Sequence, residues 1–157
     1  MLSLFDYLRA HNGSEISVQS LSQQLGANMQ TIHKYLDVLE LMGIIYVISN
    51  STNALVRENS RKKVYVNSLY GLRETKYDWP TALGFSVESY VLERLLERGE
   101  MVTFYRKRNK EIDFLLPQKK LAYEVKYRGQ VSAIKPILKG YTHQMISLSG
   151  TFPACLE

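Results

Sequence analysis

Apolar residues recur along this chain with two different periods, helix-like in three early stretches and again after residue 80, strand-like elsewhere. Leu2, Leu4, Phe5 and Leu8 form a helical stripe that stops at Asn12-Gly13, a pair suited to ending a helix. Ser17 is placed to cap a second helix running through Leu25, with Leu21 and Leu25 on its buried face. Gly26-Ala27-Asn28 makes a tight turn. Ile32, Tyr35, Leu36 and Leu39 then predict a third helix from about Met29 to Met42, ended by Gly43. Ile44–Ile48 and Lys63–Asn67 are apolar and β-branched, as two strands would be. The polar loop between them, Ser49–Lys62, carries Arg57, Arg61 and Lys62.

Helix, helix, short turn, helix and a two-stranded wing make the winged helix-turn-helix pattern, expected here over residues 1–67. In a DNA reader of that kind, Asn28, Gln30, Thr31, His33 and Lys34 lie at or near the exposed start of the third helix, where base edges are met. The charge is modest for such a role: residues 1–78 hold 8 Lys and Arg against 7 Asp and Glu. A winged helix used for protein packing is the competing reading. Residues 68–80 contain Gly71 and Pro80 with little periodicity and read as a linker with at most one helical turn.

From Thr81 the pattern changes. Leu83, Phe85, Val87, Val91, Leu92, Leu95 and Leu96 predict an amphipathic helix to about Arg98, closed by Gly99, with Glu88 toward its start. A strand at Met101–Tyr105, a basic loop at Arg106–Lys110, strands at Glu111–Leu116 and Leu121–Tyr127, a helix near Val131–Tyr141 and a last strand at Gln144–Leu148 follow. Pro117-Gln118-Lys119-Lys120 suits a hairpin turn. Closed symmetrically, that turn pairs residues whose numbers sum to 237, and Asp113 falls opposite Glu124. Like charges so placed repel. Alternation adds Lys126 to the same side and gives Ile112, Phe114, Tyr123 and Val125 the opposite, core-facing side. Two carboxylates and a lysine on one face imply either a divalent cation or a local ion cluster.

Composition narrows the class without choosing between these. Hydrophobic residues make up 45% and charged residues 22% of the 157, as in an ordinary globular protein with a packed core. No apolar run is long enough to span a membrane and no leader pattern opens the chain, so no membrane association and a cytoplasmic location are expected. The single Cys155 leaves no internal disulfide framework or multi-cysteine zinc site, and His11, His33 and His143 lack ligand spacing. The net charge of +5 permits a nucleic-acid partner. Most of it lies in residues 79–157, with 12 Lys and Arg against 8 Asp and Glu.

A helix bearing Glu88, then Asp113, then Glu124-Val125-Lys126 across a hairpin resembles the PD-(D/E)XK nuclease superfamily. The stretches QTIHKYLDVLELMGIIY, GFSVESYVLERLLERG, FYRKRNKEIDFLL and YEVKY resemble, more particularly, the C-terminal region of a family of prokaryotic AAA+/P-loop ATPases. That resemblance implies a mixed α+β and α/β chain, a winged helix-turn-helix followed over residues 81–157 by an αβββαβ restriction-endonuclease-like domain. It implies a catalytic set of Glu88, Asp113, Glu124 and Lys126, with Asp113 and Glu124 as ligands to Mg²⁺ or Mn²⁺ and Lys126 activating water. Arg106, Lys107, Arg108 and Lys110 would hold DNA phosphates nearby. Members of the family carry a nucleotide-binding domain upstream. No G-x-x-x-x-G-K-[ST] occurs here, so this chain is expected to be the downstream part of a longer ATPase. Two functions follow: a DNA-engaging, metal-dependent nuclease-like module, or a catalytically silent binding and oligomerisation module.

Overall fold

A computed structural model of the chain describes residues 2–51, 62–71, 79–127 and 136–148. Among these lie five helices and two sheets in a mixed α+β arrangement. The N-terminal half begins with α1 (Leu2–Ala10), β1 (Glu15–Ile16), α2 (Val18–Leu25) and α3 (Met29–Leu41). The strands β2 (Ile45–Ser49) and β3 (Lys62–Val66) follow. The Ser17 hydroxyl accepts from Ser20 N at 3.1 Å, Gly26 takes a left-handed conformation after α2, and the Asn28 side chain accepts from Thr31 N at 2.7 Å. These caps satisfy helix-end amide groups that have no partner within their own helix. The short strand β1 is absent from the expectation from periodicity; two residues are too few to show alternation. It completes a three-stranded antiparallel sheet in the order β1-β3-β2.

That sheet divides its strand β3 between two cores. Val64 and Val66 pack with Leu4, Leu8, Ile32 and Ile45 under the three helices. Tyr65 and Ile48 instead join the second core, with Leu92, Phe104, Phe114 and Val125. Period-two alternation in β3 thus buries both faces of one strand.

The segment after β3 contains α4 (Ser68–Gly71), whose start is held by Glu93: Ser68 N donates at 2.6 Å and the Ser68 hydroxyl at 2.8 Å. The long helix α5 spans Trp79–Glu97, beginning inside the expected linker, and ends where Gly99 turns left-handed. It packs across a four-stranded sheet of order β4-β5-β6-β7, made by Thr103–Lys107, Lys110–Leu116, Leu121–Tyr127 and Thr142–Leu148. The expected basic loop is shorter than the sequence suggested. Strand pairing continues through Lys107↔Lys110, and only Arg108 and Asn109 form the turn, with Arg108 at φ 55°. Strand β7 runs parallel to β6 over its whole length. Of the helix expected near 131–141, residues 131–135 lie outside the described residues, and 136–141 form bends and turns rather than helix. Pro136 opens that stretch and cannot donate a helical hydrogen bond. The wing-loop cations Arg57 and Arg61 also lie outside the described residues.

The two halves are joined by buried polar contacts as well as by the shared core. The fully buried Asn12 accepts from Val66 N at 2.8 Å and donates to the Ser89 hydroxyl of α5 at 3.2 Å. Beside it, Gly13 sits at φ +72°, and a Cβ there would lie 2.8 Å from the Phe85 ring. Gly99 has a similar φ of +73° but open space around it. Replacing Gly99 by Ala should therefore cost only the backbone strain, about 1–2 kcal/mol. Gly13→Ala adds overpacking against α5 and should cost roughly 2–4 kcal/mol. Urea denaturation of the two variants checks this; equal midpoints would mean that the Phe85 ring moves aside freely.

Candidate functional site

The hairpin of β5 and β6 has the expected register: Phe114↔Tyr123, Leu115↔Ala122 and Leu116↔Leu121 all sum to 237. The pairing ends there. Asp113 does not face Glu124 through a continued ladder; its carboxylate reaches across and accepts from Val125 N at 2.8 Å. The other edge of β5 explains the departure. Thr103 pairs with Leu115 and Tyr105 with Ile112, so Asp113 and Phe114 together oppose Phe104 alone. This is a β-bulge, and it breaks the alternation of side chains along the strand. Ile112 consequently packs with Leu115 and Ala122 on one side of the sheet, while Phe114 joins the core beneath α5. The expectation that Ile112 and Phe114 share a core face is thereby corrected. Tyr123 and Val125 do lie with Phe114, as expected.

Asp113 lines a cavity of about 350 Å³ with Glu88 from α5, Glu111 from β5, Lys63 from β3, and Arg106 and Glu15 at its rim. A hydrogen-bonded chain crosses this cavity. Lys63 Nζ lies 2.7 Å from Glu111 Oε1 and 3.4 Å from the Tyr65 hydroxyl, which donates to Glu88 Oε2 at 3.1 Å. Arg106 joins Glu111 at 3.4 Å and Glu15 at 2.7 Å. Lys63 is only 4% exposed, which makes it a buried cation. Its ammonium also lies 5.8 Å and 5.7 Å from the ring centroids of Tyr65 and Phe104, within cation–π range.

Burial and like charge dominate the electrostatics. Desolvation first, then the Asp113 charge, pushes the Glu88 carboxyl up to about 8, against the opposing pull of Lys63 and the Tyr65 hydroxyl. Desolvation likewise raises Asp113, and the charges of Glu111 and Glu124 add to it, while the Val125 N–H and Lys63 act the other way. The Tyr65 hydroxyl is pushed well up by burial and then by Glu88. Lys126 is raised chiefly by its hydrogen bond to Glu124, 2.8 Å away, and further by Asp113 and Glu88.

Of the four residues singled out from the sequence, Asp113 is thus within electrostatic reach of Glu88, Glu124 and Lys126. Glu88 and Asp113 are half-buried, and Glu124 and Lys126 form a more exposed ion pair. Among the described residues, no group of three or more His, Cys, Asp or Glu is arranged to hold a metal ion. Two carboxylates with water still suit Mg²⁺, which commonly keeps several waters. The surplus of carboxylate over cation lining the cavity is the charge environment such an ion relieves.

Of the phosphate-binding candidates, Arg106 is engaged by Glu15 and Glu111, whereas Lys107, Arg108 and Lys110 are exposed at the hairpin tip. On α3, Gln30, His33 and Lys34 are exposed, Asn28 serves as the cap, and Thr31 is half-buried. Sequence reasoning missed Lys63, Tyr65, Glu111 and Glu15. A usable signal existed in β3, where Lys63 and Tyr65 share a face opposite Val64 and Val66.

Comparison with known proteins divides the chain in two. Residues 1–69 match the family model of a domain of unknown function, DUF8612. Residues 83–144 match that of another domain of unknown function, DUF4143, which is found in AAA-ATPase-associated proteins. No match was found among curated proteins or among solved structures. No helix among the described residues is long and apolar enough to cross a membrane.

The raised Glu88 carboxyl predicts a pH dependence. Between its ordinary value and about 8 the folded state holds a proton that the unfolded state has released. Stability therefore falls as pH rises through that window. Thermal melts from pH 5 to 8.5 should show this decline, and Glu88→Gln, which keeps an acceptor for the Tyr65 hydroxyl, should flatten it. A slope unchanged in the variant would assign the effect to another group.

Proposed function

We propose that the chain is a DNA-engaging, Mg²⁺- or Mn²⁺-dependent nuclease-like module of a P-loop ATPase, with a winged helix-turn-helix followed by a restriction-endonuclease-like domain. The observation that supports this reading is the bulged, splaying hairpin, where Asp113 shares a cavity with Glu88 of α5 and reaches Val125 N, between the paired Glu124 and Lys126. Asp113, Glu124 and Lys126 come from one strand pair and Glu88 from a helix distant in sequence, so spacing alone does not enforce their meeting. Asp113 and Glu124 are the carboxylates that would hold the metal, hard oxygen donors suited to either ion. When bound, the ion would lower the pKa of a coordinated water and offset charge on a phosphodiester. Lys126 supplies a cation and hydrogen-bond donor at the exposed edge. Lys107, Arg108 and Lys110 offer phosphate contacts at the adjoining hairpin tip.

The second reading, a catalytically silent binding and oligomerisation module, is favoured by the Lys126–Glu124 ion pair and by the engagement of Asp113 with Val125 N. Catalysis separates the two readings. In the nuclease-like module, DNA cleavage requires Mg²⁺ or Mn²⁺, and Lys126→Ala lowers it by roughly 10²–10⁴-fold, the usual weight of a positioned acid–base group. The same variant keeps its Mn²⁺ affinity, since a lysine ammonium is not a metal ligand. Asp113→Asn, which can still accept from Val125 N, loses metal and cleavage together. In EDTA it should melt higher than wild type because one of several crowded carboxylates is neutralised. A lower melt in EDTA, with no cleavage in any metal, would leave the silent module.

DNA binding itself should be weak, independent of sequence and salt-sensitive. Reversing Lys107, Arg108 and Lys110 to Glu should weaken binding to a short duplex at low salt more than Lys34→Glu does. The opposite ranking in a fluorescence-anisotropy titration would move the contact to α3.

A further inference from the structure

Lys63 is the buried cation for which the proposed chemistry has no use. It belongs to β3 of the N-terminal sheet, yet its ammonium lies among carboxylates contributed by the other half of the chain. It contacts Glu111 directly at 2.7 Å and reaches Glu88 through the Tyr65 hydroxyl by steps of 3.4 Å and 3.1 Å. It lines the same cavity as Asp113. The side chain is only 4% exposed, and the aromatic rings of Tyr65 and Phe104 flank it. A lysine buried this fully is costly unless its charge is matched, and the match here is the carboxylate cluster itself.

We propose that Lys63 is a tethered counter-cation: it sets a positive charge in the cavity that Asp113 lines, beside a carboxylate that a divalent ion would have to bind, so that docking of β3 against α5 and β5 competes with metal binding at Asp113. The inference rests on the metal-binding reading given above. A cation delivered by the protein and a cation taken from solution relieve the same repulsion, and whichever is present weakens the demand for the other. By linkage the effect is reciprocal, and metal loaded onto the cluster loosens the hold on Lys63. The arrangement makes the described state the metal-poor one. A movement that withdraws β3, such as an attached ATPase domain would exert, raises the affinity of the cluster for metal without altering any of its carboxylates.

The test uses the whole chain with Mn²⁺ as the probe, by isothermal titration and by thermal melts with EDTA or Mn²⁺. Lys63→Met keeps the apolar stem and removes the charge. It should bind Mn²⁺ about ten-fold more tightly than wild type, in the usual range of coupling between two sites. It should also melt lower in EDTA and recover when Mn²⁺ is added. Lys139→Met, which removes an exposed cation outside the lining of this cavity, should change the affinity much less. Adding Asp113→Asn to Lys63→Met should abolish the gain. Where Lys63→Met does not fold, Lys63→Met with Glu111→Gln removes both ends of the ion pair and carries the same expectation. Wild type and variant binding Mn²⁺ equally would overturn the tether and leave the metal reading standing. Binding by neither would remove both. A gain that survives Asp113→Asn would also overturn the proposal, because the extra metal would then sit elsewhere.

Discussion

The structure depends on one electrostatic constraint: carboxylates from α5 and β5 are drawn partly out of water at the seam between two sheets. Glu88, Glu111 and Asp113 approach one another there, and isolated carboxylates in such a place are unfavourable. Three arrangements relieve the cost. Lys63 and Arg106 supply positive charge, the Val125 N–H supplies a donor to Asp113, and Glu88 holds a proton near neutrality. The first of these requires that β3 lie against α5. Charge compensation and the packing of the two halves are therefore one interaction seen from two sides.

The apolar contacts make the same junction. Tyr65 presents its ring to Phe114 at 5.6 Å between centroids and its hydroxyl to Glu88. An aromatic pair of this kind contributes about 0.5–1.5 kcal/mol beyond its burial. Asn50 continues the seam at its far end: its side-chain amide donates to Arg106 O at 3.0 Å, and the residue forms a parallel bridge with Phe104. Strand β4, an edge of the four-stranded sheet, is thus partly covered by the end of β2. Edge strands left open invite unwanted pairing, and this contact blunts one of them.

Much of this was legible in the sequence, for local reasons. Ser17, Gly26 and Asn28 act through hydrogen bonds and backbone angles within a few residues, so their capping roles follow from their identity and place. The hairpin register follows from the four-residue turn at Pro117–Lys120 alone. What escaped the sequence arises from contacts between distant segments. The bulge at Asp113 is set by the pairing of β5 with β4, which no pattern within β5 announces. Alternation reasoning consequently placed Ile112 with Phe114. Lys63 looked like the first residue of an ordinary strand because its partners lie on α5 and β5. The run of cations at the hairpin tip resembles a loop in the sequence and masks the strand pairing that continues to Lys107↔Lys110.

The buried core also bears on how such chains diverge. The two family matches end and begin within the segment between residues 69 and 83, as though two independent units had been joined there. The packing crosses that border: Ile48 and Tyr65 fill the core of the second unit, and Lys63 balances its charge. An exchange of the first unit for a relative lacking a cation at the position of Lys63 would take away the nearer cationic partner of Glu111 and the charge packed against the Tyr65 and Phe104 rings. A substitution at Lys63 in one half is therefore felt at Glu111 in the other, and neither half is free to vary at this seam without cost to its neighbour.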